Sequence, residues 1–95
     1  MVMTILEAHV VEEHWAALQM DYQNRIAQLP PQMIQTLLLQ NATDQTLWQI
    51  ISVWKSREAL EEMRNSGETP AGVLMFRSVG AEPKLSIFNV PAWAP

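Results

Sequence analysis

The chain contains no cysteine among its 95 residues, which excludes a disulfide framework, a thiolate nucleophile and any zinc site built on sulfur. Positive charge is scarce as well. Six Lys and Arg stand against ten Asp and Glu, for a formal net charge of −4. The six cations (Arg25, Lys55, Arg57, Arg64, Arg77 and Lys84) are scattered. Nucleic-acid binding requires a clustered basic footprint, so no nucleic-acid partner is expected. No apolar run reaches the length of a membrane span, and no membrane partner is expected. The opening residues Met1-Val2-Met3-Thr4-Ile5-Leu6-Glu7 carry neither a basic leader nor a small-residue cleavage site, which leads to the expectation of a cytoplasmic protein.

What the chain does have is apolar surface. Hydrophobic residues make up 48% of it, with four Trp and six Met. Residues 1–95 read as a single domain, ending in a short tail at about 91–95. A domain this small buries only about two thirds of the surface its unfolded chain exposes. The excess of apolar side chains predicts burial against another chain.

The clearest boundary lies in Ser52-Val53-Trp54-Lys55-Ser56-Arg57-Glu58-Ala59-Leu60. Before it, Leu47 to Trp54 is β-branched and aromatic. After it, Ala59, Leu60 and Met63 recur at helical spacing, with Ser56 placed to cap the new helix. Upstream, Thr4 to Val10 reads as a strand. Val11, Trp15, Leu18, Tyr22, Ile26 and Leu29 then form one apolar stripe on a helix of about five turns, closed by Pro30-Pro31. Met33 to Gln40 and Thr46 to Trp54 read as a hairpin joined through Asn41-Ala42-Thr43-Asp44. A helix follows from about Arg57 to Asn65, ended by Gly67. Thr69-Pro70 then predicts an N-cap and first turn of a short helix through about Phe76, and Lys84 to Val90 reads as the last strand.

The predicted order is β-α-β-β-α-β, an α+β ferredoxin-like fold with an antiparallel sheet. In such a fold one sheet face covers the helices and the other meets water, so strands should alternate. These do not. Leu37, Leu38 and Leu39 place apolar groups on both faces, as do Ile50, Ile51, Val53 and Trp54. A second copy of the same sheet is the simplest cover, which predicts a homodimer closed into an α+β barrel.

The runs Trp54-Lys55-Ser56-Arg57-Glu58-Ala59-Leu60, Gly67-Glu68-Thr69-Pro70-Ala71-Gly72, Phe76-Arg77-Ser78-Val79-Gly80 and Glu82-Pro83-Lys84-Leu85-Ser86-Ile87-Phe88 together resemble the antibiotic biosynthesis monooxygenase-like domain. In element order the resemblance covers nearly the whole chain. It implies a dimeric α+β barrel with a pocket between each sheet and its helices. It also implies cofactor-independent oxygenation of a small planar aromatic substrate, phenol, quinol or anthrone-like, with no metal. A non-enzymatic ligand-binding or stress-related barrel is the alternative, since the fold hosts several functions. Haem-degrading relatives are expected to carry an asparagine on the first strand, a tryptophan in the second helix and a later histidine. Here those places hold Glu7 and Ala8, then Met63, and no histidine follows His14. The resemblance to the polyketide-oxidising branch implies polar residues, including asparagine, near Trp54; four residues before it this chain has Ile50.

Oxygenation without a cofactor needs a dry slot for a flat ring system and a base to take its proton. Trp54, at the strand-to-helix joint, is read as a catalytic or pocket residue, or as an aromatic sealing the sheet edge. His14 either looks into the sheet–helix space as the base or faces solvent from the first helical turn. Trp15, Tyr22 and Phe76 join Trp54 as candidate lining for a small hydrophobic molecule, or serve as core. His9 and Glu7 share a strand face, which makes either a carboxylate–imidazole pair or a polar pair at the dimer seam. The spacing of Glu7, His9 and His14 matches no metal-ligand signature.

Overall fold

A computed structural model describes residues 1–95. The strands are β1 (Val2–His9), β2 (Met33–Gln40), β3 (Leu47–Trp54) and β4 (Lys84–Asn89), and the helices are α1 (Trp15–Arg25), α2 (Arg57–Asn65) and α3 (Ala71–Ser78). The strands form one antiparallel sheet in the order β2-β3-β1-β4. This is the ferredoxin-like arrangement, with α3 added between α2 and β4.

Local signals account for most boundaries. Ser56 is extended, and its hydroxyl accepts the Ala59 N–H at 3.0 Å, so α2 starts where the apolar period changes. Gly67 follows α2 with φ +81°, a conformation that an L side chain resists. In the β2–β3 loop the Asn41 Oδ1 accepts the N–H groups of Thr43 and Asp44, both at 2.8 Å. That side chain replaces the ladder bonds the turn lacks.

Two sequence expectations are corrected at helix ends. The helix predicted over Val11 to Leu29 is an α-helix only in its middle. Tighter 3-10 turns at Glu12–His14 and Ile26–Gln28 flank it, and Leu29 is already extended ahead of Pro30. Three residues per turn in place of 3.6 swing the stripe off the core axis. Leu18 is therefore fully buried, whereas Val11, Ile26 and Leu29 are exposed. Before α3, Pro70 itself occupies the N-cap with no side-chain cap, and Thr69 stays outside the helix.

The helices cover one sheet face. Its residues are Val2, Thr4, Leu6 and Ala8 of β1, Trp48, Ile50, Ser52 and Trp54 of β3, with Met33, Thr36 and Leu38 of β2 in register beside them. The core over this face falls into two clusters. The larger holds Leu6, Ala8, Val10, Leu18, Trp48, Ile50, Met75, Phe76, Val79 and Ala81. The smaller holds Val2, Trp54 and Leu60, with Met33, Met63 and Ile87 against it. On the opposite face lie Met3, Ile5 and Glu7 of β1, Gln49, Ile51 and Val53 of β3, and Leu37, Leu39 and Phe88 from the two edge strands. No helix covers that face, and Leu37, Leu39 and Phe88 stand 43%, 38% and 51% exposed on it. The non-alternating strands thus have apolar groups on both faces.

Candidate functional site

Between the two core clusters the helices stand away from the sheet and leave a cleft of about 570 Å³ that opens to solvent at its rim. Its floor is the stretch of sheet that carries Thr4, Leu6, Thr36, Ile50, Ser52 and Trp54. The end of α1 and the turn after it contribute Tyr22, Arg25 and Ile26; α2 contributes Leu60, Met63 and Arg64. The start of α3 closes the far wall. There Gly72 allows the helix backbone to lie on β1, since a Cβ at this position would sit 2.6 Å from Leu6 Cδ1.

Two aromatic side chains reach polar atoms of the floor. The Trp54 indole Nε1–H donates to Thr4 Oγ1 at 3.1 Å, a bond buried from solvent. The Tyr22 hydroxyl donates to Thr36 Oγ1 at 3.4 Å. At the rim, Arg77 grips Glu82 through Nε and a terminal nitrogen at 3.0 and 2.9 Å. That bidentate hydrogen bond holds the Glu82 carboxyl below its ordinary range and pushes the Arg77 guanidinium higher still. Arg25 and Arg64, also on the rim, are paired with Asp21 and Glu61. Glu68 lines the same rim and takes part in no ion pair.

The sequence candidates divide. Tyr22 and Trp54 line the cavity. Trp15 and Phe76 do not. Trp15 turns into the larger cluster, its ring 6.0 Å from that of Trp48 and its Nε1–H donating to the Val10 carbonyl at 2.8 Å. Phe76 is fully buried at the centre of the same cluster. His14 is also outside the cavity: its Nδ1 lies 3.0 Å from the Val79 carbonyl oxygen, tying the turn before α1 to the end of α3. The 3-10 turn that carries His14 rotates it away from the sheet–helix space. Glu7 and His9 lie on the face without helices, where Gln49 Nε2 donates to Glu7 Oε1 at 3.0 Å and His9 Nδ1 approaches Thr46 Oγ1 at 3.0 Å. No three acidic, histidine or cysteine side chains gather at one point in metal-holding geometry.

The floor hydroxyls of Thr4, Ser52 and Thr36 are not among the sequence candidates. A signal for them exists. Read every second residue, the helix-facing positions run Val2-Thr4-Leu6-Ala8 and Trp48-Ile50-Ser52-Trp54, each apolar series broken by one hydroxyl. Their alignment across strands depends on register, which pairing alone reveals.

No family model matches the sequence, and no curated protein matches it. Solved structures do. An antibiotic biosynthesis monooxygenase superimposes with a TM-score of 0.71 at 13% identity, over 97% of this chain and 100% of that one. The chain has the antibiotic biosynthesis monooxygenase fold. SnoaB of Streptomyces nogalater, a cofactor-independent oxygenase, is similar at 14% identity and a TM-score of 0.69, over 99% of this chain and 97% of that one. MhuD of Mycobacterium tuberculosis, a haem degrader solved with two haems in its active site, is similar at 18% identity and 0.75, with both chains covered in full. Identities this low establish the architecture of the monooxygenase-like fold and leave chemistry to the residues.

Proposed function

We propose that the chain binds a small planar aromatic molecule of the phenol, quinol or anthrone class in this cavity and oxygenates it with molecular oxygen without a cofactor. The observation that carries the reading is the cavity itself. Its 570 Å³ lies in the range of small-molecule sites, and Trp54 and Tyr22 are among its lining residues. The likeness to SnoaB supports the reaction type. The likeness to MhuD favours haem less, because neither His9 nor His14, the chain's two histidines, lines the cavity to meet iron. Deprotonation of an anthrone's ring methylene, or of a phenol's or quinol's hydroxyl, gives an anion with charge on a ring carbon, which passes electrons to oxygen and forms a C–O bond. Loss of water from the resulting hydroperoxide leaves a carbonyl, so an anthrone and O2 become the ketone and H2O, and a phenol or quinol and O2 become a quinone and H2O. The apolar walls keep solvent from the anion, and Trp54 positions the ring. Glu68, the lining carboxylate outside any ion pair, takes the proton in place of His14. The reading carries a homodimer, supported by the uncovered apolar sheet face, and a cytoplasmic setting.

Oxygen uptake by metal-free protein with hydroquinones and anthrone tests it. Turnover is expected, reduced about tenfold or more by Glu68→Gln and by Trp54→Phe. No uptake with any of them rejects the enzyme. Binding without uptake instead selects the second reading, a ligand-binding barrel, which the placement of His14 outside the cavity lining favours.

A further inference from the structure

Thr36, Ser52 and Thr4 are direct partners across three neighbouring strands: Thr36 pairs with Ser52 in the β2–β3 ladder, and Ser52 pairs with Thr4 in the β3–β1 ladder. Direct partners point to the same face, so the three form one row of hydroxyls across the floor of the cavity, which all three line. The row also separates the two core clusters. Leu6, Ile50 and Leu38 on one side belong to or pack on the larger cluster, and Val2, Trp54 and Met33 on the other side do so on the smaller. An apolar residue at any of the three positions would join the clusters and enlarge the core. The sequence divides its own interior at the one place where the cavity opens.

The hydrogen bonds give the row a polarity. A tryptophan N–H only donates, so Thr4 Oγ1 is used as an acceptor and its proton is left free. Thr36 Oγ1 likewise accepts from Tyr22. Ser52 is 8% exposed, and its hydroxyl has no hydrogen-bond partner in the chain. A hydroxyl that lines the cavity without a partner in the chain is free to meet a ligand. Three O–H donors therefore face the cavity, spaced by the strand separation of about 4.8 Å. That spacing is close to the distance between oxygens two ring-widths apart on one edge of a linearly fused aromatic.

We infer that the Thr36–Ser52–Thr4 row is the specificity-determining subsite, selecting planar aromatics that carry acceptor oxygens along one edge. The inference rests on the proposed binding of an aromatic in this cavity and adds which edge of the molecule is read and by which residues. Donors on that edge also stabilise negative charge spread onto the ring oxygens. Quenching of tryptophan fluorescence by 1,8-dihydroxyanthraquinone, its 2,6-isomer and unsubstituted anthracene tests it. The 1,8-isomer is expected to bind about tenfold more tightly than the 2,6-isomer. Ser52→Ala and Thr36→Val should each cut that preference several-fold and leave anthracene binding unchanged. Ser52→Ala should also keep or raise the melting temperature, because it removes an unsatisfied hydroxyl. A preference absent from the native chain or intact in both variants overturns the row while leaving the aromatic site standing, as does a lowered melting temperature in Ser52→Ala. Failure of all three aromatics to bind overturns both.

Discussion

Gly72→Ala places a methyl group where the structure has the least room. Its Cβ would lie 2.6 Å from Leu6 Cδ1, with Ile50 Cδ1 at 3.7 Å and Ile50 Cγ2 at 3.8 Å. The isoleucine contacts are ordinary, so the conflict is with one leucine tip, which must retreat about 1 Å to reach normal van der Waals separation. Overpacking of this kind costs about 1–3 kcal/mol. Leu6 borders empty cavity and can turn into it, which sets the cost near about 1 kcal/mol. Replacing glycine in a helix returns up to about 1 kcal/mol. The single variant should thus stay within about 1 kcal/mol of native stability, or ~4–8 °C in melting temperature. It should also bind planar ligands less tightly, because Leu6 now occupies part of their space. A double-mutant cycle in urea isolates the contact. Leu6→Ala alone should cost about 2–5 kcal/mol. In its presence the added methyl meets no obstacle, so the double variant should be more stable than the sum of the singles by about 1 kcal/mol. Additivity within about 0.3–0.5 kcal/mol would mean that α3 does not lie on Leu6.

Ser56→Ala should lower stability by about 1 kcal/mol in urea denaturation, and Ser56→Asp should restore most of it, because either oxygen can accept the Ala59 N–H. Glu82 should titrate below its ordinary value of 4.5 in an NMR pH series, owing to the hydrogen bonds from Arg77. Because its folded pKa is depressed, the ion pair contributes fully above 4.5 and is lost as pH falls through the depressed value. In Arg77→Gln the carboxyl should return to the ordinary range; an unmoved titration would show that the pair does not form. Leu37→Lys, on the sheet face that no helix covers, should convert a dimer seen by light scattering into a folded monomer with unchanged far-ultraviolet circular dichroism. A monomeric native chain at micromolar concentration would rule out the barrel.

The fold was legible wherever a local signal coincided with a change of period. The passage from Trp54 through Ser56 to Leu60 is such a place, because capping oxygen, strand end and helical spacing all fall within a few residues. The apolar triplet Leu37-Leu38-Leu39 was legible for another reason: residues one apart must face opposite ways, whatever the register. The extent of the first helix was less so. Val11, Ile26 and Leu29 keep helical spacing, yet 3-10 turns and the proline pair decide where they point. The site was legible only in part. Trp54 and Tyr22 announce themselves by size, but the sequence neighbours of His14 give no sign of Val79, 65 residues away, which holds it. The hydroxyl row was hidden most completely, since Thr4, Ser52 and Thr36 become neighbours only when three strands pair in one register.

The two sheet faces pose opposite problems, and the same alternation of residues answers both. On the face without helices, Ile51, Leu37 and Phe88 give a broad apolar surface interrupted at the Glu7–Gln49 hydrogen bond. On the helix face, apolar residues stop where Thr36, Ser52 and Thr4 cross the strands. A chain of this size has little stability to spare, and filling those positions would add core. Leaving them polar is tolerable if the other face recovers the loss by burial against a second subunit. Dimer and site draw on one total stability, while no residue of the uncovered face enters the cavity lining. Filling the row with apolar residues should therefore reduce the dependence of folding on protein concentration, and Ser52→Ala should stabilise the Leu37→Lys chain as much as it stabilises the native one, since the two residues face opposite ways. A gain seen in one background and absent from the other would refute this independence.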